Sequence, residues 1–152
     1  IELYHGSNLF IDKIDFTKCK PYKDFGQGFL SDGYFSAGNG DGNQATRIVG
    51  SGSPVVTKFL FDEKLLIDGS LKVLNFDSPS IEWAKFILAN RKRSKEKFVH
   101  DYDIVVGPVA DDGVAFQLER YLYGGMTFEQ LAKEFDLQKA ESPVFFSVQR
   151  RL

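Results

Sequence analysis

Cysteine and histidine are scarce in this sequence, which has one cysteine, Cys19, and two histidines, His5 and His100, among 152 residues. A single cysteine excludes an internal disulfide. A zinc site is not expected either, because one cysteine and two histidines provide too few of its usual ligands. We therefore expect no metal cofactor and a reducing, cytoplasmic compartment.

Long apolar runs and an excess of charge are also missing. No run approaches the length of a membrane span, and the N-terminus carries no signal-peptide pattern. The formal net charge of −2 argues against a globally basic nucleic-acid binder but not against a local basic patch. The chain contains no Walker loop, no GxGxxG opening a helix, no HExxH and no GxSxG elbow. The common nucleotide-binding, metalloprotease and hydrolase sites are therefore not predicted.

The remaining pattern predicts one α+β domain. The length suffices for a domain with a real core and no long linker divides it, so residues 1–152 form a single domain in this prediction. Strands are expected at residues 2–5, 25–30, 34–37, 55–61, 64–67, 71–76, 103–109 and 144–146. Helices are expected at residues 44–49, from Ser78-Pro79 onward, at 114–123, and from the capping box Thr127-Phe128-Glu129-Gln130 to about residue 135. Because helices fall unevenly between strands, the pattern favours α+β over regular βαβ alternation.

The first candidate site is the stretch Leu3-Tyr4-His5-Gly6-Ser7, an apolar strand that ends in a histidine, a glycine and a hydroxyl. Gly6 has no Cβ, so a ligand can approach the backbone there. Gly26 and Gly28 follow, ahead of a second aromatic segment. An ordinary β-hairpin with turn glycines explains the same residues, because short glycine motifs are weak evidence alone.

Three other features have both a structural and a functional interpretation. The carboxylates Asp101, Asp103, Asp111 and Asp112 either cap turns or form a metal site or orient His100. The basic run at residues 91–97 is either a solvated loop or a contact for phosphates or an acidic partner. Cys19 is interpreted as a plain loop thiol rather than a nucleophile.

The order of these motifs resembles the ADP-ribosyltransferases of the His-Tyr-Glu class, which include diphtheria toxin and the poly-ADP-ribose polymerases. Those enzymes have an early strand with a histidine, an aromatic segment preceded by glycines, and a glutamate ahead of a late apolar strand. A closer resemblance is to an uncharacterised bacterial domain family usually grouped with these transferases. The matching segments are residues 4–7, 18–26, 70–74, Glu82-Trp83, Asn90-Arg91 and 100–111.

The resemblance implies an ADP-ribosyltransferase-like split pair of mostly antiparallel sheets with flanking helices, and NAD as the substrate. His5 would hydrogen-bond a ribose hydroxyl, and the Gly6 backbone would hold the nicotinamide amide. Tyr34, or alternatively Phe29, would stack on the nicotinamide ring. The rest of the implied NAD site consists of Ser7, Gly26 and Gly28.

The catalytic acid implied by the resemblance is Glu141, which would bind the nicotinamide ribose and polarise the acceptor. If the alignment shifts by one residue, Ser142 takes that position and the acid is missing. His5, Tyr34 and Glu141 are expected to line one cleft within roughly 10 Å. The first and last strands should therefore lie near each other.

The resemblance therefore implies a mono-ADP-ribosyltransferase that modifies a protein or a nucleic acid. An intracellular toxin or defence effector with a small antitoxin-like partner protein would fit that family. Two alternatives stay open: a binding module for NAD or for a partner that has lost catalysis, and an NAD glycohydrolase in which water replaces the acceptor.

Overall fold

The computed structural model describes residues 1–33, 42–43, 47, 50–92, 100–110, 112–138 and 144–148. Its strands are β1 (Glu2–Ser7), β2 (Phe29–Asp32), β3 (Val55–Leu60), β4 (Val73–Asn75), β5 (Ile104–Pro108) and β6 (Val144–Val148). Its α-helices are α1 (Ile81–Arg91), α2 (Asp112–Leu122) and α3 (Phe128–Gln138). Two short 3₁₀ helices lie at Phe16–Lys18 and Glu63–Leu66. This mixture confirms the predicted α+β fold.

The strands form a sheet in the order β3-β1-β2-β6-β5-β4 that is divided at one junction. Within the described ranges, β1 and β2 are joined by a single residue pair, Tyr4 with Asp32. The two-stranded part, β1 and β3, and the four-stranded part are each paired over longer stretches. Every pairing is antiparallel except β4 with β5. The split, mostly antiparallel arrangement that the resemblance implies is therefore present.

One face of the four-stranded part packs against the helices. Successive side chains of a strand point to opposite faces, and Leu30 of β2, Leu74 of β4 and Val105 of β5 all contact this core. The buried members of the core are Phe25, Trp83, Ala84, Ile87, Val105, Val114, Leu118, Met126, Leu131 and Phe135. The opposite face of the sheet, which carries His5, is therefore turned away from the helices.

Trp83 holds α1 to the sheet. Its side chain is fully buried, and its indole Nε1–H donates a hydrogen bond of 2.7 Å to the carbonyl of Pro108 at the end of β5. Its ring also meets the ring of Phe135 of α3 edge-on, with 5.6 Å between centroids. One residue therefore connects two helices and a strand.

The helix starts follow local capping chemistry. The predicted start of α1 at Ser78-Pro79 is wrong by two residues, because Ser80 is the cap, and its side chain accepts from the backbone N–H of Trp83. The predicted capping box before α3 is confirmed. The side chain of Gln130 accepts from Thr127 N at 2.9 Å, and the side chain of Thr127 accepts from Gln130 N at 3.3 Å.

Three strand predictions need correction. Residues 64–67 do not form a strand but lie in the second 3₁₀ helix and its cap, because the side chain of Asp62 accepts from Lys64 N. Residues 25–28 are not extended strand, since a turn in which Gly26 N donates to the Lys23 carbonyl delays β2 to Phe29. β1 does not end at His5 but continues to Ser7, because β3 pairs with it to that point. The predicted strand at 34–37 lies outside the described residues, as does all of the predicted helix at 44–49 except residue 47.

Among the described residues, no helix is both long enough and apolar enough to cross a bilayer.

Candidate functional site

His5 lies on β1, directly opposite Thr57 of β3. Leu3, His5 and Ser7 alternate with the other residues of β1 and therefore share one face. Leu3 and Ser7 are buried, whereas His5 between them is half-buried. The histidine is thus the accessible member of a covered row.

A backbone carbonyl fixes the His5 ring. Nδ1 lies 2.6 Å from the carbonyl oxygen of Leu30 in β2. Because a carbonyl can only accept, Nδ1 must carry the proton in this contact. When the ring is neutral, Nε2 is then a lone-pair acceptor, and it has no hydrogen-bond partner in the described part of the chain.

Phe29 supports the same ring from β2. The centroids of His5 and Phe29 are 4.4 Å apart with 32° between the ring planes. Phe29 in turn meets Phe59 of β3 edge-on at 5.2 Å. Phe29 is 7% exposed, so little of it is open to a ligand.

Three hydroxyl residues surround His5 on this face. The side chain of Ser7 donates to the carbonyl of Leu9, and Thr57 Oγ1 accepts a long hydrogen bond of 3.5 Å from Ile11 N. Ser31 is the third, on His5's face because it alternates with Asp32, and it is 3% exposed. The face around His5 therefore contains polar groups, of which those of Ser7 and Thr57 are bonded to the backbone.

Sequence reasoning did not find Thr57 or Ser31. Nothing local distinguishes either residue, since a threonine and a serine in strands are ordinary. Both join the site through strand pairing. The pairing of Thr57 with His5 spans β1 and β3, so only a correct strand register identifies it.

The predicted glycines lie within β1 and in the segment that leads into β2. Gly6 is half-buried and pairs with Val56. Gly26 is buried and has φ of +84°, a conformation that side-chain-bearing residues rarely adopt. Gly28 is half-buried and immediately precedes β2.

Tyr34, Glu141 and Ser142 lie outside the described residues. The end of β2, which precedes Tyr34, and the start of β6, which follows Glu141 and Ser142, lie at the same end of the sheet, because Asp32 pairs with Phe145. β1 and β6 both flank β2, which separates them by about 10 Å, twice the usual strand spacing. The expected proximity of the first and last strands is confirmed.

The other candidate features have structural partners. Lys72 pairs with Asp101 at 2.5 Å, and its backbone N–H donates to Asp103 at 2.8 Å. Asp111 and the side chain of Asp112 lie outside the described part. No group of three or more His, Cys, Asp or Glu side chains within the described ranges could hold a metal ion.

Cys19 is not activated. Burial raises the pKa of its thiol, and the nearby Asp15 carboxylate adds to this. A raised pKa lowers the thiolate fraction at neutral pH, so the interpretation as a plain thiol agrees with the structure.

The first side chain of the basic run already forms an ion pair. Arg91, its first residue, forms an ion pair with Asp24 in front of β2, while residues 93–97 lie outside the described part.

The opposite face of β1 is a separate polar surface. Tyr4 donates a hydrogen bond of 2.6 Å to Glu2, and Lys58 lies 3.0 Å from the same carboxylate. The hydrogen bonds from Tyr4 and then Lys58 lower the pKa of Glu2, and the same contact with Glu2 raises the pKa of Tyr4. Since these groups face away from His5, they do not contribute to the candidate site.

The fold and site together define an α+β domain with a histidine-centred polar row on one face of a split sheet. The family described as "Protein of unknown function (DUF3990)" matches residues 1–152. The chain therefore belongs to this family. Neither a curated protein nor a solved structure matches this chain.

Proposed function

We propose that this protein is an NAD-dependent mono-ADP-ribosyltransferase. The observation that carries the proposal is the state of half-buried His5: its Nδ1–H is held by the Leu30 carbonyl, so Nε2 of the neutral ring is an acceptor. A ribose hydroxyl is a donor of the right kind for that nitrogen. The motif order described above supplies the reason to choose NAD among ribose-containing ligands.

His5 would accept a hydrogen bond from a hydroxyl of the nicotinamide ribose. The Gly6 backbone, on the same strand, would hold the carboxamide. Phe29 is already covered by His5 and Phe59, which leaves little of its ring for a ligand. This favours Tyr34 over Phe29 as the residue that stacks on nicotinamide.

The proposed reaction breaks the bond between the nicotinamide nitrogen and the ribose. Nicotinamide leaves with the bonding electron pair, and the ribose passes through an oxocarbenium-like state. Glu141 would stabilise that positive charge. A nucleophile of the acceptor then forms a new bond to the ribose carbon and loses its proton to solvent.

We further propose a macromolecular acceptor and a role as an intracellular toxin or defence effector with a small antitoxin-like partner protein. The support is the resemblance to bacterial domains that are often found beside small partner genes. Protein and nucleic acid both stay open as acceptors, since most of the basic run lies outside the described residues.

The test measures NAD binding by calorimetry in the wild type, in His5→Ala and in His5→Phe. His5→Phe keeps a ring against Phe29 but has no nitrogen, so it separates packing from hydrogen bonding. Loss of one hydrogen bond should weaken binding by about three- to tenfold in both variants. Arg120→Gln, at an exposed position of α2, is the control and should bind as the wild type does.

Incubation with labelled NAD then distinguishes the alternatives. Label on a protein or nucleic acid supports transfer. Nicotinamide release without labelled product would replace the proposal by NAD hydrolysis, and binding without release would replace it by a binding module. A wild type with no NAD affinity would refute transfer, hydrolysis and an NAD-binding module, and would leave a module that binds a partner.

A further inference from the structure

The loop that precedes β2 in the chain is held by hydrogen bonds among Asp24, Arg91 and Ala110. Asp24 Oδ1 accepts from Arg91 Nε at 2.6 Å, and Asp24 Oδ2 accepts from Ala110 N at 2.7 Å. Arg91 Nη2 also reaches the Ala110 carbonyl at 3.3 Å. The loop before β2, the end of α1 and the exit of β5 therefore meet at one carboxylate.

This ion pair is more buried than the others of the described chain. The side chains of Asp24 and Arg91 are 13% and 32% exposed. In the other ion pairs within the described ranges, the side chains are between 45% and 83% exposed. Exposed pairs are screened and contribute little, whereas a partly buried pair with charge-assisted hydrogen bonds constrains geometry strongly.

The contacts continue into the loop that follows. The Phe25 side chain is 2% exposed in the core, and its carbonyl accepts from His100 Nε2 at 3.1 Å. Gly26 then turns the chain with its N–H on the Lys23 carbonyl. Residues 24–26 are thus fixed to three other segments of the molecule.

β2 begins shortly after this anchored turn, and its first two residues hold the histidine. The ring of Phe29 lies against His5, and the carbonyl of Leu30 accepts from His5 Nδ1. A shift of the chain at Asp24 would move both contacts. Among the described residues, β1 and β2 share one residue pair, so the described pairing fixes the spacing of these two strands at one point, while β6 holds β2 on its other side.

We propose that Asp24 and Arg91 are positioning residues of the candidate site. Their ion pair sets the start of β2 and, through Phe29 and the Leu30 carbonyl, the orientation and tautomer of His5. The effect on turnover rests on the proposed ADP-ribosyltransferase function, whereas the effect on His5 does not.

The test is nitrogen NMR of the imidazole rings at about pH 8, where an unperturbed histidine is neutral. The chain has only two histidines, and His5→Phe assigns them. In the wild type, His5 should show a protonated Nδ1 and a lone pair on Nε2. In Arg91→Gln and Asp24→Asn, the two His5 nitrogen resonances should move toward each other as the tautomers mix.

Arg91→Lys keeps the charge but cannot form the same two-pronged contact, so it should restore the His5 signals only partly. Arg120→Gln is the matched control and should leave them unchanged, since the exposed Arg120 side chain bonds to neighbours in its own region, Gln117, Gly125 and the Phe116 ring. Circular dichroism establishes that each variant is folded. If Arg91→Gln does not fold, Arg91→Lys and Asp24→Asn provide the measurement.

The proposal is overturned if the His5 resonances stay at their wild-type positions in a folded Arg91 or Asp24 variant. The ion pair would then contribute to stability and not to the position of His5. Where the wild type turns over NAD, Arg91→Gln should raise KM for NAD about fivefold with a smaller change in kcat. A wild type without NAD turnover would refute the proposed function, while the NMR result would still decide the positioning role.

Discussion

Asn90 is a buried polar residue with one unsatisfied atom. Its side chain in α1 is 2% exposed, and Nδ2 donates to the carbonyl of Phe86 at 2.8 Å. Oδ1 is buried and has no hydrogen-bond partner in the described part of the chain. The amide orientation is fixed, because only the NH₂ group can donate to a carbonyl.

Asn90→Leu should therefore stabilise the protein. Leucine keeps the branched shape of the side chain and removes a buried acceptor whose desolvation costs about 1–3 kcal/mol. The Phe86 carbonyl still accepts the ordinary helix hydrogen bond, so no new group is left unsatisfied. Leucine also has the higher helix propensity. Allowing for some crowding, we expect a gain of about 1–2 kcal/mol, and each kcal/mol raises Tm by about 2–4 °C at this size.

Urea unfolding measures the change, and the single tryptophan, Trp83, is a fully buried fluorescent reporter in the same helix. Asn90→Asp is the control: it keeps the unsatisfied oxygen, loses the donor and adds a buried charge, so it should destabilise by at least about 2 kcal/mol. An Asn90→Leu protein that is no more stable than the wild type would refute the reasoning. In that case Oδ1 would not be the costly unsatisfied group that the structure indicates.

Three further predictions concern other parts of the fold. Trp83→Phe should destabilise the protein by about 2–4 kcal/mol in unfolding followed by circular dichroism, because it leaves a cavity and an unpaired carbonyl at Pro108; a loss below about 1 kcal/mol would contradict this. Thr127→Ala should cost about 1 kcal/mol by loss of the α3 cap, whereas Thr127→Ser, which keeps the hydroxyl, should cost little. Glu2→Gln should lower the pKa of Tyr4 toward its ordinary value in an NMR titration, because the carboxylate that disfavours the phenolate is gone; an unchanged Tyr4 pKa would show that the contact is absent in solution.

The elements that local sequence predicts well are those with a local cause. The run at residues 55–61 is β-branched and aromatic and forms β3, and the Thr127 capping box opens α3. Residues 64–67 have a similar apolar character, yet the side chain of Asp62 offers the backbone a hydrogen bond that favours a 3₁₀ turn. Composition alone does not distinguish these outcomes.

The candidate site is only half visible in the sequence. His5 and Phe29 can be picked out because each lies beside a glycine in an apolar segment, and His5 is one of two histidines. The partner that sets the His5 tautomer is the Leu30 carbonyl, a backbone atom with no side-chain signature. Asp24 and Arg91 are separated by 67 positions, so their contact depends on the tertiary fold and no local pattern reveals it.

The position of β6 determines when this protein can assemble during synthesis. β6 pairs with β2 on one side and β5 on the other, although both precede it in the chain. It ends roughly 40 residues after β5, so a ribosome adding about 5–20 residues per second needs about 2–8 s more to complete it. During that interval the nascent chain presents two open strand edges, of β2 and β5. Because β6 joins β2 to β5, the sheet that carries the histidine row closes only once Val148 has been made, so any activity that needs the closed sheet begins after that point.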